Sequence, residues 1–161
     1  MSSKFCIGDN RYLVYNKKAA TVTIMEDKSD KFVRLPLIRW TQLVLSFDFV
    51  DEQLKSLETA NLQWHIGNGI HVCVSAGIKC VDIRRFYWNK TMGQVKPTRE
   101  GLALRLPEYE KLKEAMVKLH DKHPEVASAQ PCLMTHSDQA SMQQCAECNP
   151  FGLLPNSVLD Q

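Results

Sequence analysis

Three short runs open the chain, each rich in β-branched and aromatic residues: Arg11-Tyr-Leu-Val-Tyr15, Ala20-Thr-Val-Thr-Ile-Met25 and Lys31-Phe-Val-Arg-Leu35. Asn16-Lys17-Lys18 and Asp27-Lys28-Ser29-Asp30 separate them as polar turns, so the pattern predicts a small antiparallel meander. After Pro36 the apolar period lengthens. Trp40, Leu43, Val44, Phe47, Val50, Leu54 and Leu57 recur at helical spacing, which predicts a helix over 36–57 that breaks near the β-favouring stretch Ser46–Val50.

The same plan then returns. Ile70-His-Val-Cys-Val74 and Lys79-Cys-Val-Asp-Ile-Arg84 read as strands around a tight turn at 75–77, with the second continuing through Phe86-Tyr87-Trp88. Residues 89–97 read as a turn rich in breakers, and Leu102–Leu106 as a further strand. Pro107 opens a helix that sets Tyr109, Leu112, Met116 and Leu119 on one face. Two short motifs recur in order: Phe5-Cys-Ile-Gly8 with Trp64-His-Ile-Gly67, and Val33-Arg-Leu-Pro36 with Leu104-Arg-Leu-Pro107. The chain therefore divides into a first repeat at 4–57, a second at 64–122, and a Gln-, Ser-, Asn- and Pro-rich tail at 124–161 expected to pack loosely.

Charge sharpens this division. Residues 1–123 hold 20 basic and 14 acidic side chains, a balance of +6, whereas the remainder holds four acids and no Lys or Arg. A basic body with an acidic tail suits a partner that carries phosphates, as well as an ordinary solvated surface. No apolar run approaches a membrane span, and no apolar core follows Met1-Ser-Ser-Lys4, so no membrane partner and no secretory signal are expected. The six cysteines are accordingly expected to be thiols, with Cys73 and Cys80 in or near the core.

The second repeat carries a more specific pattern: Val81-Asp-Ile-Arg-Arg-Phe-Tyr-Trp88, Gly93-Gln-Val-Lys-Pro97, Arg99-Glu-Gly-Leu-Ala-Leu104, Pro107-Glu-Tyr109 and Leu112-Lys-Glu114, opened by Trp64-His-Ile-Gly67. In that order these motifs resemble the single-stranded-DNA-binding domain of the transcriptional coactivator positive cofactor four family. The first repeat keeps the opening, Arg11-Tyr12 and the strand-to-helix ending, but has no Asp-Ile-Arg and no Lys-Pro segment. The resemblance implies an α+β fold: two tandem units, each a curved four-stranded antiparallel sheet followed by one helix. It also implies dimer formation, met here either by a pseudo-dimer within one chain or by a homodimer. The implied partners are single-stranded or melted DNA and the transcription machinery. The implied role is that of a transcription cofactor or DNA-melting or protecting protein, nuclear in a eukaryote.

The residues suit that role on their own chemistry. A groove for unpaired strands needs cations along the phosphates and aromatic faces for the bases. Between Lys79 and Arg105 there are seven basic and two acidic residues around Phe86-Tyr87-Trp88. The expected nucleic-acid-binding residues are Lys79, Arg84, Arg85, Tyr87, Trp88, Lys96 and Arg99, joined from the first repeat by Arg11, Lys17 and Lys18. Alternation sets Asp82, Arg84 and Phe86 on one face and Ile83 on the other, unless a bulge intervenes. Competing structural roles stand beside these: the rings as partial core, and Arg84 held by Asp82 or Glu100 as an ion pair. Glu100 departs from the basic residue common in the family before the glycine. The hairpin 74–79 lacks the family's aromatic and lysines at its tip, whereas Lys17 and Lys18, next to Tyr15, offer cations at the matching place.

No catalytic residues and no cofactor are expected. His65 and His71 lie at no recognised catalytic spacing from Asp82, and no glycine-rich phosphate loop is present. Cys132, His136, Cys145 and Cys148 are four possible zinc ligands, but their spacing fits no common finger, and unpaired tail thiols are the preferred reading over a metal site. The alternative to strand binding is a degenerate copy of the fold serving as a protein-interaction or assembly module.

Overall fold

The computed structural model describes residues 2–56, 61–75 and 79–152. Two sheets follow one another along the chain, each an antiparallel meander of four strands with a helix at its end. The first is β1 (Ser2–Gly8), β2 (Arg11–Asn16), β3 (Thr21–Glu26) and β4 (Phe32–Pro36), followed by α1 (Leu37–Lys55). The second is β5 (Leu62–Gly67), β6 (Ile70–Ser75), β7 (Cys80–Asn89) and β8 (Gln94–Arg105), followed by α2 (Leu106–Lys122). The recurring motifs fall at matching places. Both opening strands shift register at the same step, between Cys6 and Gly8 and between His65 and Gly67. Both prolines sit where the last strand turns into its helix. At α2 the Arg105 N–H donates to Glu108 Oε1 at 3.1 Å, closing the first turn.

Strand alternation sends Leu13, Tyr15, Val22, Ile24, Val33 and Leu35 of the first sheet inward, and Val72, Val74, Val81, Ile83, Leu102 and Leu104 of the second. These meet the helices in one continuous core. The helices are crossed between the units. Besides its own β3 and β4, α1 packs on β5 and β6 of the second sheet; besides its own β7 and β8, α2 packs on β1 and β2 of the first. Trp40 Nε1 donates to His120 Nε2 at 2.9 Å, the Phe47 and Tyr109 rings meet edge to face at 5.7 Å, and Asp51 accepts from both Tyr109 Oη at 2.8 Å and Lys113 Nζ at 3.0 Å. Trp64 tilts against Phe49 of α1 with ring centroids 4.9 Å apart. The apolar helix of the first unit thus finds the cover that its composition demands on the second unit.

Several expectations need correction. The first helix runs unbroken through Ser46–Val50: Ser46 Oγ donates to the Leu43 carbonyl at 2.6 Å, and Phe47 and Val50 are buried, so tertiary packing overrides local β propensity. Residues 94–97 are strand, not turn, because β8 extends the hairpin that Asn89 and Gly93 close. Cys73 and Cys80 are half-buried beside Asp82 rather than in the core; cross-strand pairing puts Cys73 opposite Asp82, on the face away from the helices. The segment after the second unit packs back on the body through residue 152. Its elements are two 3-10 turns (Pro124–Ser128 and Cys132–Thr135) and α3 (Gln139–Gln143). Val126 is fully buried, and Tyr15, expected beside the groove cations, lies beneath this segment with its hydroxyl 3.2 Å from Glu125 Oε1. The turn at 75–77 (beyond Ser75), the connection at 57–60 and the tail from 153 onward lie outside the described residues.

Candidate nucleic-acid interface

The outward face of the second sheet follows from its register. His65, His71, Arg84 and Gly101 form one row across the four strands. Gly101 is required there: a Cβ on it would stand 2.7 Å from the Ile83 carbonyl oxygen and 2.8 Å from Arg84 Cα. Beyond this row the β7–β8 ladder is irregular. Arg84 pairs with Gly101 but Phe86 pairs with Pro97, so Thr98, Arg99 and Glu100 of β8 face Arg85 alone. The extra residues belong to β8, so alternation on β7 persists and Phe86 stays on the face of Arg84, its ring 4.8 Å from that of His71.

Both arginines of the Asp-Ile-Arg-Arg motif pin this bulge. Arg84 donates to Asp82 Oδ2 at 3.0 Å and to the Thr98 carbonyl at 2.9 Å. Arg85 donates to Glu100 Oε2 at 2.7 Å and to the Asn68 carbonyl at 2.8 Å, while Thr98 Oγ1 donates to the Arg85 carbonyl at 2.8 Å. The ion-pair role for Arg84 is therefore realised, and Glu100 pairs with Arg85 instead. A bulge re-aims the residues beyond it, and here it carries the far end of the hairpin.

That far end presents the chemistry of strand binding. Tyr87 and Trp88 are 45% and 37% exposed, and as strand neighbours they face opposite sides. Lys90 and Arg99 are exposed and Lys96 is half-buried, opposite Tyr87 in register. Among the described residues, none of these three cations forms an ion pair, in contrast to Arg84 and Arg85. Lys79 is exposed at the entry to β7. Arg99 also reaches a cleft of about 250 Å³ between the units, which it lines with Arg84, Gly101, Asp30 and Lys31.

The first unit contributes differently. Lys17 and Lys18 are exposed on the β2–β3 turn, beside the segment carrying Glu125. Arg11 lies at the junction of the units, 15% exposed, donating to Glu26, to Glu108 at 3.3 Å and to the Ala103 carbonyl at 2.5 Å. Sequence reasoning missed the outward face of this sheet. Lys4 Nζ stands 4.0 Å over the Tyr12 ring and Arg34 Cζ 5.6 Å from the Phe32 ring. Once register is assigned, Lys4, Tyr12, Thr23, Met25, Phe32 and Arg34 share that face with no acid among them. The signal was present as alternation in each strand, but Lys31 of the junction cleft had none.

Burial disfavours the charged form of both histidines at the base of the second sheet. His65 and His71 lie with ring centroids 5.1 Å apart, and Gly69 N–H donates to His65 Nε2 at 3.0 Å. Burial, then the neighbouring His71 and Arg39, push His65 down to about 4; burial also lowers His71. Burial, then Asp82, pushes the Cys73 thiol up to about 11, which makes it a poor nucleophile.

No helix among the described residues is long and apolar enough to cross a membrane. No curated protein and no solved structure matches the chain. Residues 64–115, within the second unit, match the family model of Transcriptional Coactivator p15 (PC4), a family of single-stranded-DNA-binding coactivators and not of enzymes.

Proposed function

We propose that this chain binds single-stranded or locally melted DNA on the far end of the β7–β8 hairpin and across the junction cleft, as a transcription cofactor or a DNA-melting or protecting protein. The observation that carries the reading is the contrast within one hairpin: Arg84 and Arg85 are paired with acids and hold the bulge, while Tyr87, Trp88 and Lys90 beyond it and Arg99 on it are exposed, and the half-buried Lys96 forms no ion pair among the described residues. Each base stacked on a ring contributes about 1–3 kcal/mol, and the free cations follow the phosphates. Arg84 and Arg85 act as positioning residues. Lys31 of the first unit and Arg99 of the second converge on one cleft, so both units contribute to one surface. The helices crossed between the units support a pseudo-dimer within one chain over a homodimer. In a eukaryote it would act in the nucleus, in contact with the transcription machinery.

Titration of the full chain with a labelled oligonucleotide at two salt concentrations tests the reading. Affinity should fall as salt rises, because cations displace counterions from phosphate. A single strand and a duplex with a mismatched bubble should bind more tightly than intact duplex. A second reading, a protein-interaction module, draws on the internal neutralisation of Arg84 and Arg85; absence of strand binding at low salt would favour it.

A further inference from the structure

Four side chains outside the nucleic-acid interface converge at one point. Cys132, His136, Cys145 and Cys148 place three Sγ atoms and one imidazole nitrogen all within 4.8 Å of one another. Cys132 Sγ lies 3.7 Å from Cys145 Sγ and 3.7 Å from His136 Nε2, and Cys148 Sγ lies 3.3 Å from His136 Nε2. A tetrahedral zinc has Zn–S bonds of about 2.3 Å and Zn–N bonds of about 2.0–2.1 Å, so its ligands stand about 3.8 Å apart for S···S and about 3.5 Å apart for S···N. These three separations lie within about 0.2 Å of those values, and all four ligand atoms lie within 4.8 Å of one another. A disulfide explains them less well: its sulfurs are about 2.0 Å apart, and it would give His136 no reason to face two thiols.

The local backbone is shaped for the same purpose. Backbone N–H groups of Glu147 and Cys148 point at the Cys145 sulfur, and the Asn149 N–H donates to the Cys145 carbonyl at 2.8 Å. The two cysteines thus curl around a common centre. The segment also has little core of its own. From Ala129 to Gly152 the one buried residue is Pro131, and the only α-helix has five residues. A segment so poor in core needs another source of order, and metal binding is folding free energy in such cases.

We infer that Cys132, His136, Cys145 and Cys148 form a structural zinc site that fastens the C-terminal segment across both units. Binding releases one proton from each of the three thiols and leaves His136 neutral, with Nε2 as ligand. Three thiolates and Zn²⁺ carry a net charge of −1. With four protein ligands the site has no open position, so it is structural and not catalytic. What it fastens is specific. Between Cys145 and Cys148, the Glu147 carboxylate takes two hydrogen bonds from Arg39 of α1, at 2.7 and 3.0 Å, and the Glu147 carbonyl accepts the Asn68 N–H of the β5–β6 turn at 2.7 Å. One knuckle therefore touches the helix of the first unit and the sheet of the second.

The test is metal analysis of the full chain, purified under reducing conditions with zinc supplied and no chelator. About one zinc per chain is expected, and cobalt substitution should give the intense visible absorption of a tetrahedral thiolate site. Cys148→Ser should lose the stoichiometric metal, His136→Cys should keep it as a four-cysteine set, and Cys6→Ser, at an exposed thiol on β1, should leave it unchanged. Wild-type protein without zinc, a cobalt complex lacking thiolate bands, or zinc retained in full by Cys148→Ser would each overturn the assignment.

Discussion

The two sheets expose different outward faces. On the first, Tyr12 and Phe32 each lie beneath a cation and no acid intervenes. On the second, the corresponding face holds a neutral histidine pair, half-buried thiols and an arginine already bound to Asp82. The C-terminal segment also approaches it, with Pro150 and Phe151 lining a cleft with His65 and His71. Yet the second unit is the one whose sequence matches the coactivator family. Its motif residues Asp82, Arg84, Arg85 and Gly101 are mostly architectural: they build a bulge and let two strands approach closely. The sequence signature thus marks how the hairpin is held, and exposure marks the residues proposed to meet a strand.

The sharpest way to break this comparison is to remove the rings from each unit in turn. Tyr87→Ala with Trp88→Ala should weaken binding of a single-stranded oligonucleotide by roughly 100-fold, at about 1–3 kcal/mol for each stacked base. Tyr12→Ala with Phe32→Ala, measured in the same assay, should cost less. If the order were reversed, the open face of the first sheet would be the main binding surface. Gly101→Ala probes the architecture instead of the contact. The added methyl would overlap Ile83 and Arg84, so a loss of about 2 kcal/mol is expected in urea unfolding.

Much of this was readable beforehand. The strand-strand-strand-helix order, the repeated motifs and the helical faces follow from local periodicity, which is why both sheets and both helices were expected. What escaped was set by contacts distant in sequence. Ser46–Val50 stays helical because Tyr109, 62 residues beyond Phe47, packs on it. Arg11 belongs to the junction because Glu108 and Ala103 come to meet it. Cys132 and Cys145 are neighbours because a 3-10 turn and a five-residue helix fold back between them, and no common spacing announces that. Of the expected strand-binding residues, the hairpin set is clustered, but its division into pinned and free cations needed the bulge.

Acid should unsettle the second sheet. His65 titrates at about 4 in the fold against about 6.5 unfolded, so the unfolded chain binds more protons between those values. Stability is then full above about pH 6.5 and falls as the pH drops toward 4. A loss of roughly 1–2 kcal/mol is expected from this group after allowing for solvent screening. His71 and His120 act in the same direction. Urea unfolding at pH 7 and pH 4.5 measures the change, and His65→Asn should reduce it. The smallest effect concerns the first unit's turn. Lys17→Ala with Lys18→Ala should weaken strand binding several-fold and lower the salt slope by about 1.4, at about 0.7 per phosphate contact on single strands. Unchanged affinity would remove this turn from the binding surface.

The crossing of the helices has a consequence for how the molecule comes apart. Neither sheet is covered by its own helix alone: Trp64 leans on Phe49, and Tyr109 is anchored by Asp51 and Phe47. A chain cut between the sheets would leave each half with an uncovered apolar surface, and each would seek a second polypeptide to cover it. The pair should therefore melt in one cooperative transition, because each unit supplies part of the other's interior.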